Sequence, residues 1–170
     1  MNVTVSAPAS TANLGPGYDC LAMALPTRCT VSATPSDEWR VFHSGSHAPS
    51  SGEDDAVLAA ARKIAAGPFD LVVVNEIPIG KGLGSSAAAL VAGVAAALLA
   101  SGGDPGPDRI YRLAAELEGH QDQVAAAVYG GLVLIPAEGM PIRLPLHPSL
   151  RPLVAVPDTA LSTQTARRVV

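Results

Sequence analysis

Apolar and polar residues alternate over 3–7, 27–33 and 39–43, the period-two pattern of strands that turn one face to a core. Thr34-Pro35-Ser36-Asp37 separates the last two as turn material. Beyond a polar stretch over 44–52 the period changes. Val57, Leu58, Ala61 and Ile64 recur at helical spacing within 53–66, with acids at its start and Arg62-Lys63 near its end, as the helix dipole favours. Gly67-Pro68 closes that helix. Residues 69–77 are almost uniformly apolar and predict a strand buried on both faces. A second helix, of small residues, is predicted from the serines at 85–86 to about Ser101. A third is predicted over 109–118, capped by Asp108, with Ile110, Leu113, Ala114 and Leu117 on one face. After a break at Gly119, a fourth helix over 123–129 ends at Gly130-Gly131 and leads into a strand over 132–136. A strand over 153–156 and a helical segment over 163–170 complete the pattern. Strands come first and helices later, which predicts an α+β fold of packed layers.

A chain of 170 residues suffices for one domain with a real core. It is 48% hydrophobic and 15% charged, with a mean hydropathy of +0.30, an excess carried by alanine and valine. The longest apolar run, 87–100, falls short of the roughly 18 residues that suggest a membrane span, and it reads as a buried helix. The N-terminus has no basic start followed by an apolar stretch, so the expected location is cytoplasmic. Cys20 and Cys29 have neither metal-site spacing nor a disulfide-rich context and read as reduced core fillers. A net charge of −4 without any Lys/Arg run argues against a nucleic-acid partner. Small-molecule chemistry is what remains.

The segment best suited to such chemistry is Pro78-Ile79-Gly80-Lys81-Gly82-Leu83-Gly84-Ser85-Ser86-Ala87-Ala88, set between a predicted strand and a predicted helix. Glycines admit positive φ and close approach, so successive backbone N–H groups can converge on an anion. The helix N-terminus adds its partial positive charge. The segment is neither GxxxxGK[ST] nor GxGxxG. Ser85 and Ser86 stand where a hydroxyl could cap the helix or ligate magnesium.

This segment resembles the phosphate-binding motif of the GHMP kinases, PxxxGLGSSAA. Three further segments match the homoserine kinase branch in order: Ala12-Asn13-Leu14-Gly15-Pro16-Gly17-Tyr18-Asp19, Glu118-Gly119-His120-Gln121-Asp122-Gln123-Val124-Ala125 with Gly130-Gly131, and Leu161-Ser162-Thr163-Gln164-Thr165-Ala166-Arg167. The resemblance implies ATP and Mg²⁺ as cofactors, with Ser86 and Glu118 as metal ligands. It implies a small hydroxylated amino acid, L-homoserine or a similar compound, as acceptor, with Asn13, Asp19, His120, Asp122 and Arg167 around it. The reaction implied is transfer of phosphate to the side-chain hydroxyl, as in threonine biosynthesis. Asp122 would act there either as general base or by orienting the hydroxyl. Lys81, inside the cradle, could contact phosphate as a secondary residue. Gln123 and Ala126 stand where the branch has Asn and Pro, and Gln164 where it often has Lys.

For the fold, the resemblance implies a two-layer N-terminal domain over 1–170 with a left-handed βαβ unit. A C-terminal ferredoxin-like domain is expected to be lacking, apart from its first residues from about 151. The alternatives left open are another small amino alcohol or acid, such as threonine, as acceptor, or a nucleotide-binding module without catalysis. A homodimer, or a partner chain supplying the missing domain, is open as well.

Overall fold

The computed structural model describes residues 1–49, 55–156 and 158. The chain opens with two long antiparallel strands, β1 (Val3–Leu14) and β2 (Gly17–Pro35), followed by β3 (Arg40–Ser44), helix α1 (Ala56–Ile64) and β4 (Phe69–Asn75). Three helices follow, α2 (Ser85–Ala100), α3 (Gly106–Glu118) and α4 (Gln121–Tyr129), then short strands β5 (Leu132–Leu134) and β6 (Ile142–Leu144).

All six strands form one sheet, in the order β3-β4-β2-β5-β6 with β1 on the other edge of β2. β2 is long enough to pair β1 along one edge while its second edge serves β5 through Leu21–Met23 and β4 through Cys29–Pro35. β3 runs parallel to β4, and the connection between them is α1, which makes the βαβ unit. The β1–β2 register shifts between Pro8 and Ser10, where Ala9 faces the longer stretch containing Pro26. Proline has no N–H for the ladder, so the strands bulge there.

The helices lie against one face of this sheet. α2 packs on β1, β2, α1, α3 and α4, and α4 on β1, β2 and β5. Enclosed on every side, α2 buries residues around its whole circumference, as a helix that is hydrophobic all round must. Its alanines let neighbours approach closely. A Cβ on Gly93 would come within 3.2 Å of a Val57 methyl, so glycine sets the α1–α2 spacing. α1 is capped by Asp55, whose side chain accepts from the Leu58 N–H at 2.8 Å and also meets His43 Nε2 at 2.6 Å.

Several expectations are corrected. The strand predicted over 69–77 is not buried on both faces: Leu71 and Val73 are buried, whereas Val72 and Val74 are 43% and 37% exposed. Among the described residues helices cover one side of the sheet, and alternate β4 residues emerge on the other beside Phe42. Asp108 does not cap α3, which begins at Gly106 after Pro105, with Pro107 and Asp108 in its first turn. A proline fits there because those first N–H groups have no intrahelical acceptor. Residues 153–156 form no strand; Leu153 is 96% exposed and finds no sheet edge. α1 is shorter than 53–66, and β6 was not foreseen. Cys29 is buried, its thiol pushed up to about 11 by burial and then by Asp55, while Cys20 is half-buried; both are free. The helix expected over 163–170 lies outside the described residues.

Candidate phosphate-binding site

The glycine-rich segment occupies the turn from β4 into α2. Gly80, Gly82 and Gly84 all have positive φ, and Gly84, at +66°, is the residue immediately before the helix. No side chain caps α2, so the amides of its first turn have no side-chain acceptor and face the glycine turn. Such an end carries roughly half a positive charge.

Three anchors fix this turn to the body of the protein. Asn75, 4% exposed at the end of β4, donates to the carbonyls of His47 at 2.8 Å and Ile77 at 3.1 Å, reaches Ser85 Oγ at 3.4 Å, and accepts from the Ile77 N–H at 3.2 Å. The Ser10 N–H of β1 donates to the Leu83 carbonyl at 3.0 Å. Gln123 Nε2, in the first turn of α4, donates to the Gly82 carbonyl at 3.2 Å. Lys81 Nζ donates to the carbonyl of Asp158.

Ser86, on the first turn of α2, donates its hydroxyl proton to Glu118 Oε2 at 2.9 Å. Glu118 is the last residue of α3. Burial raises its carboxyl above the ordinary value, the Ser86 hydrogen bond and then His120 pull it down, and Asp122 adds to the rise. Two hard oxygen donors held together, one of them a partly desolvated carboxylate, are a donor set that suits magnesium. The glycine turn, with positive φ at Gly80, Gly82 and Gly84, suits phosphate oxygens.

The α3–α4 corner sets Glu118 against the next candidates. Gly119 turns through the left-handed region at φ +77°, His120 precedes α4, and Asp122 lies in its first turn. Tyr129 donates to Asp108 at 2.9 Å, its ring 5.7 Å from that of Tyr111, and Tyr111 donates to Gln121 at 3.2 Å. These contacts lock the two helices together. Asp122 is 5% exposed and accepts from the Gln123 N–H at 2.8 Å, whereas His120 is exposed.

Asn13 and Asp19 form a second group, at the tip of the β1–β2 hairpin. Both have positive φ, +59° and +55°, and the Asp19 N–H donates to Asn13 Oδ1 at 2.8 Å. Asn and Asp tolerate that conformation better than other side chains, and strained backbone of this kind gathers at functional sites. The structure therefore joins Ser86, Glu118, Asp122 and the glycine turn into one region and holds Asn13 and Asp19 as a pair. Arg167 lies outside the described residues. Asn75 and Ser10 were missed by the sequence reading because their contacts link distant segments. Gln123, a departure from the Asn of the resembling branch, braces the glycine turn through the Gly82 carbonyl.

Residues 54–131 match the family described as GHMP kinases N terminal domain. A homoserine kinase of Moorella thermoacetica is 40% identical over 176 residues, which cover 97% of this chain and 60% of that protein. The crystal structure of a homoserine kinase from Cytophaga hutchinsonii superposes with a TM-score of 0.76 at 25% identity, over 99% of this chain and 59% of that one. A mevalonate kinase from Methanococcus jannaschii shares the fold at a TM-score of 0.67 and 16% identity, covering 85% of this chain and 56% of that one. The chain thus spans about three-fifths of the length of the relatives it matches. From the glycine turn and its anchors through to these likenesses, residues 54–131 match the N-terminal domain of the GHMP kinases, and nearly the whole chain is similar to homoserine kinases.

Proposed function

We propose that the protein transfers the terminal phosphate of ATP to the side-chain hydroxyl of L-homoserine, giving O-phospho-L-homoserine. The observation that carries this reading is the Ser86–Glu118 pair at the mouth of a glycine turn opening onto a helix N-terminus. In this reading residues 78–88 hold the phosphates through backbone N–H groups. Ser86 and Glu118 would hold magnesium, which supplies charge neutralisation on the phosphates as the transferring group loosens. Asp122 accepts the proton of the acceptor hydroxyl or orients it; its burial beside the cradle brace Gln123 supports either role. Asn13 and Asp19 take the acceptor's hydroxyl and ammonium, His120 borders it, and Arg167 clamps its carboxylate as a bidentate partner. The N-terminal ATP-binding domain would take up 1–170, with the first residues of a C-terminal domain from about 151. The homoserine kinase relatives, similar over almost the whole of this chain, support that acceptor.

A second acceptor, threonine or another small amino alcohol, is favoured by one observation. Gln123, directly after Asp122, stands where the homoserine kinase branch has the shorter Asn, and its amide is held on the Gly82 carbonyl. An ADP-release assay with homoserine, threonine and mevalonate separates these readings. Turnover with homoserine at least about 10-fold above threonine supports the first, about 10-fold being the low end of what a one-carbon difference in a pocket supplies. Nucleotide binding without turnover on any acceptor would sink both.

A further inference from the structure

Gln123 joins two parts of the site through one residue. Its main-chain N–H donates to Asp122 Oδ1 at 2.8 Å, while its side-chain Nε2 donates to the Gly82 carbonyl at 3.2 Å, 41 positions away in the chain. The carboxylate at the start of α4 and the glycine turn are thereby connected. The turn is held at three successive carbonyls: Gly82 by Gln123, Leu83 by the Ser10 N–H at 3.0 Å, and Gly84 by the Ala88 N–H at 2.9 Å. Of these three contacts the first alone comes from a side chain, so residue identity sets it. A trans peptide points its C=O and N–H in opposite directions, and a Gly82 carbonyl held from α4 therefore fixes the direction of the Leu83 N–H in the same peptide. The hydrogen bond also polarises that peptide, which makes its N–H a stronger donor. Reach matters as well, since an asparagine at this position would be one methylene short of the glutamine that makes the contact.

We propose that Gln123 is a positioning residue for nucleotide binding: by holding the Gly82 carbonyl it sets the Leu83 amide for a phosphate on the Gly80–Ser86 turn, and ties that turn to the helix carrying Asp122. This inference rests on the reading of the turn as a phosphate cradle. Gln123 acts through the turn, without itself touching the nucleotide. Its effect is preorganisation, because a turn already fixed loses less freedom when the ligand arrives.

Calorimetric titration with Mg·ADP, together with amide NMR spectra, tests this on wild type, Gln123→Met and Gln123→Asn. Methionine keeps the length and lacks the donor, whereas asparagine keeps the amide and lacks the reach. Both variants are expected to bind Mg·ADP about 5-fold more weakly, the scale of one neutral hydrogen bond. In both, the Leu83 amide signal of the nucleotide-free protein should move from its wild-type position and respond less to Mg·ADP. The melting temperature without nucleotide should fall by no more than about 4 °C, as for the loss of a single hydrogen bond. A purely structural brace would lower the melting temperature just as much, yet leave Mg·ADP affinity within about twofold in Gln123→Met, which would overturn the proposal. Wild-type affinity in Gln123→Asn would overturn it too, since an amide too short for Gly82 would then suffice. Should wild type itself not bind Mg·ADP, the cradle reading fails together with it; binding by wild type that neither substitution alters defeats the Gln123 assignment alone.

Discussion

Ser86 and Glu118 stand 32 positions apart in the chain and 2.9 Å apart in the fold. No local pattern could have joined them: Ser86 was legible in the glycine-rich motif, whereas Glu118 read alone is a polar residue at a helix end. Its raised carboxyl gives the pair a pH signature. A carboxyl raised on folding stabilises the native state at pH below its ordinary value, and that contribution is lost as pH rises through the elevated one. Metal binding needs the ionised form and should strengthen across the same window. Glu118→Gln is therefore expected to flatten this part of the stability profile and to weaken magnesium-dependent nucleotide affinity at least about 10-fold, the scale of losing one carboxylate at a metal site. Affinity in the presence of EDTA should be unchanged. Thermal melts against pH, with magnesium titrations at each pH, check both; an unchanged magnesium dependence would remove Glu118 from the metal role.

At the scale of elements, the turn from β4 into α2 depends on Gly84 for both its conformation and its fit. Gly84→Ala would place a methyl group on Ser10 and force a side chain into φ +66°. The expected destabilisation is about 2–4 kcal/mol, the sum of a left-handed residue and an overpacked contact. Urea denaturation measures it, and a loss under about 1 kcal/mol would show that the turn relaxes freely. Element types were largely readable where periodicity was strong, as in α1, α3 and β3. Burial was harder. The apolar run of β4 suggested two covered faces, but only the structure shows that helices occupy one side and leave Val72 and Val74 outward. β1 and β2 run beyond the alternating stretches 3–7 and 27–33, β1 to Leu14 and β2 from Gly17, because they pair with each other. β6 is three residues long and owes its existence to β5. The run over 153–156 has strand composition but no neighbour to pair with.

Across the whole molecule, the alanine-rich composition finds its use in a closely packed helical layer. The alanines of α2 and α4 are mostly buried, and the hydropathy excess lies between helices and sheet. Among the described residues no helix is long and apolar enough to cross a membrane. This packing brings one end of β1, β4, α2, α3 and α4 together, so that five segments distant in sequence contribute to one site through Ser10, Asn75, Ser86, Glu118 and Gln123. The central claim is that this convergence is a nucleotide-phosphate site. Amide chemical-shift mapping by NMR, during titration with Mg²⁺ and a non-hydrolysable ATP analogue, tests it most directly. The account predicts that the largest saturable shifts fall on residues 80–88 and on 118–123. Saturable shifts confined to the outward sheet face, around Phe42, Val72 and Val74, with the glycine turn unmoved, would contradict it.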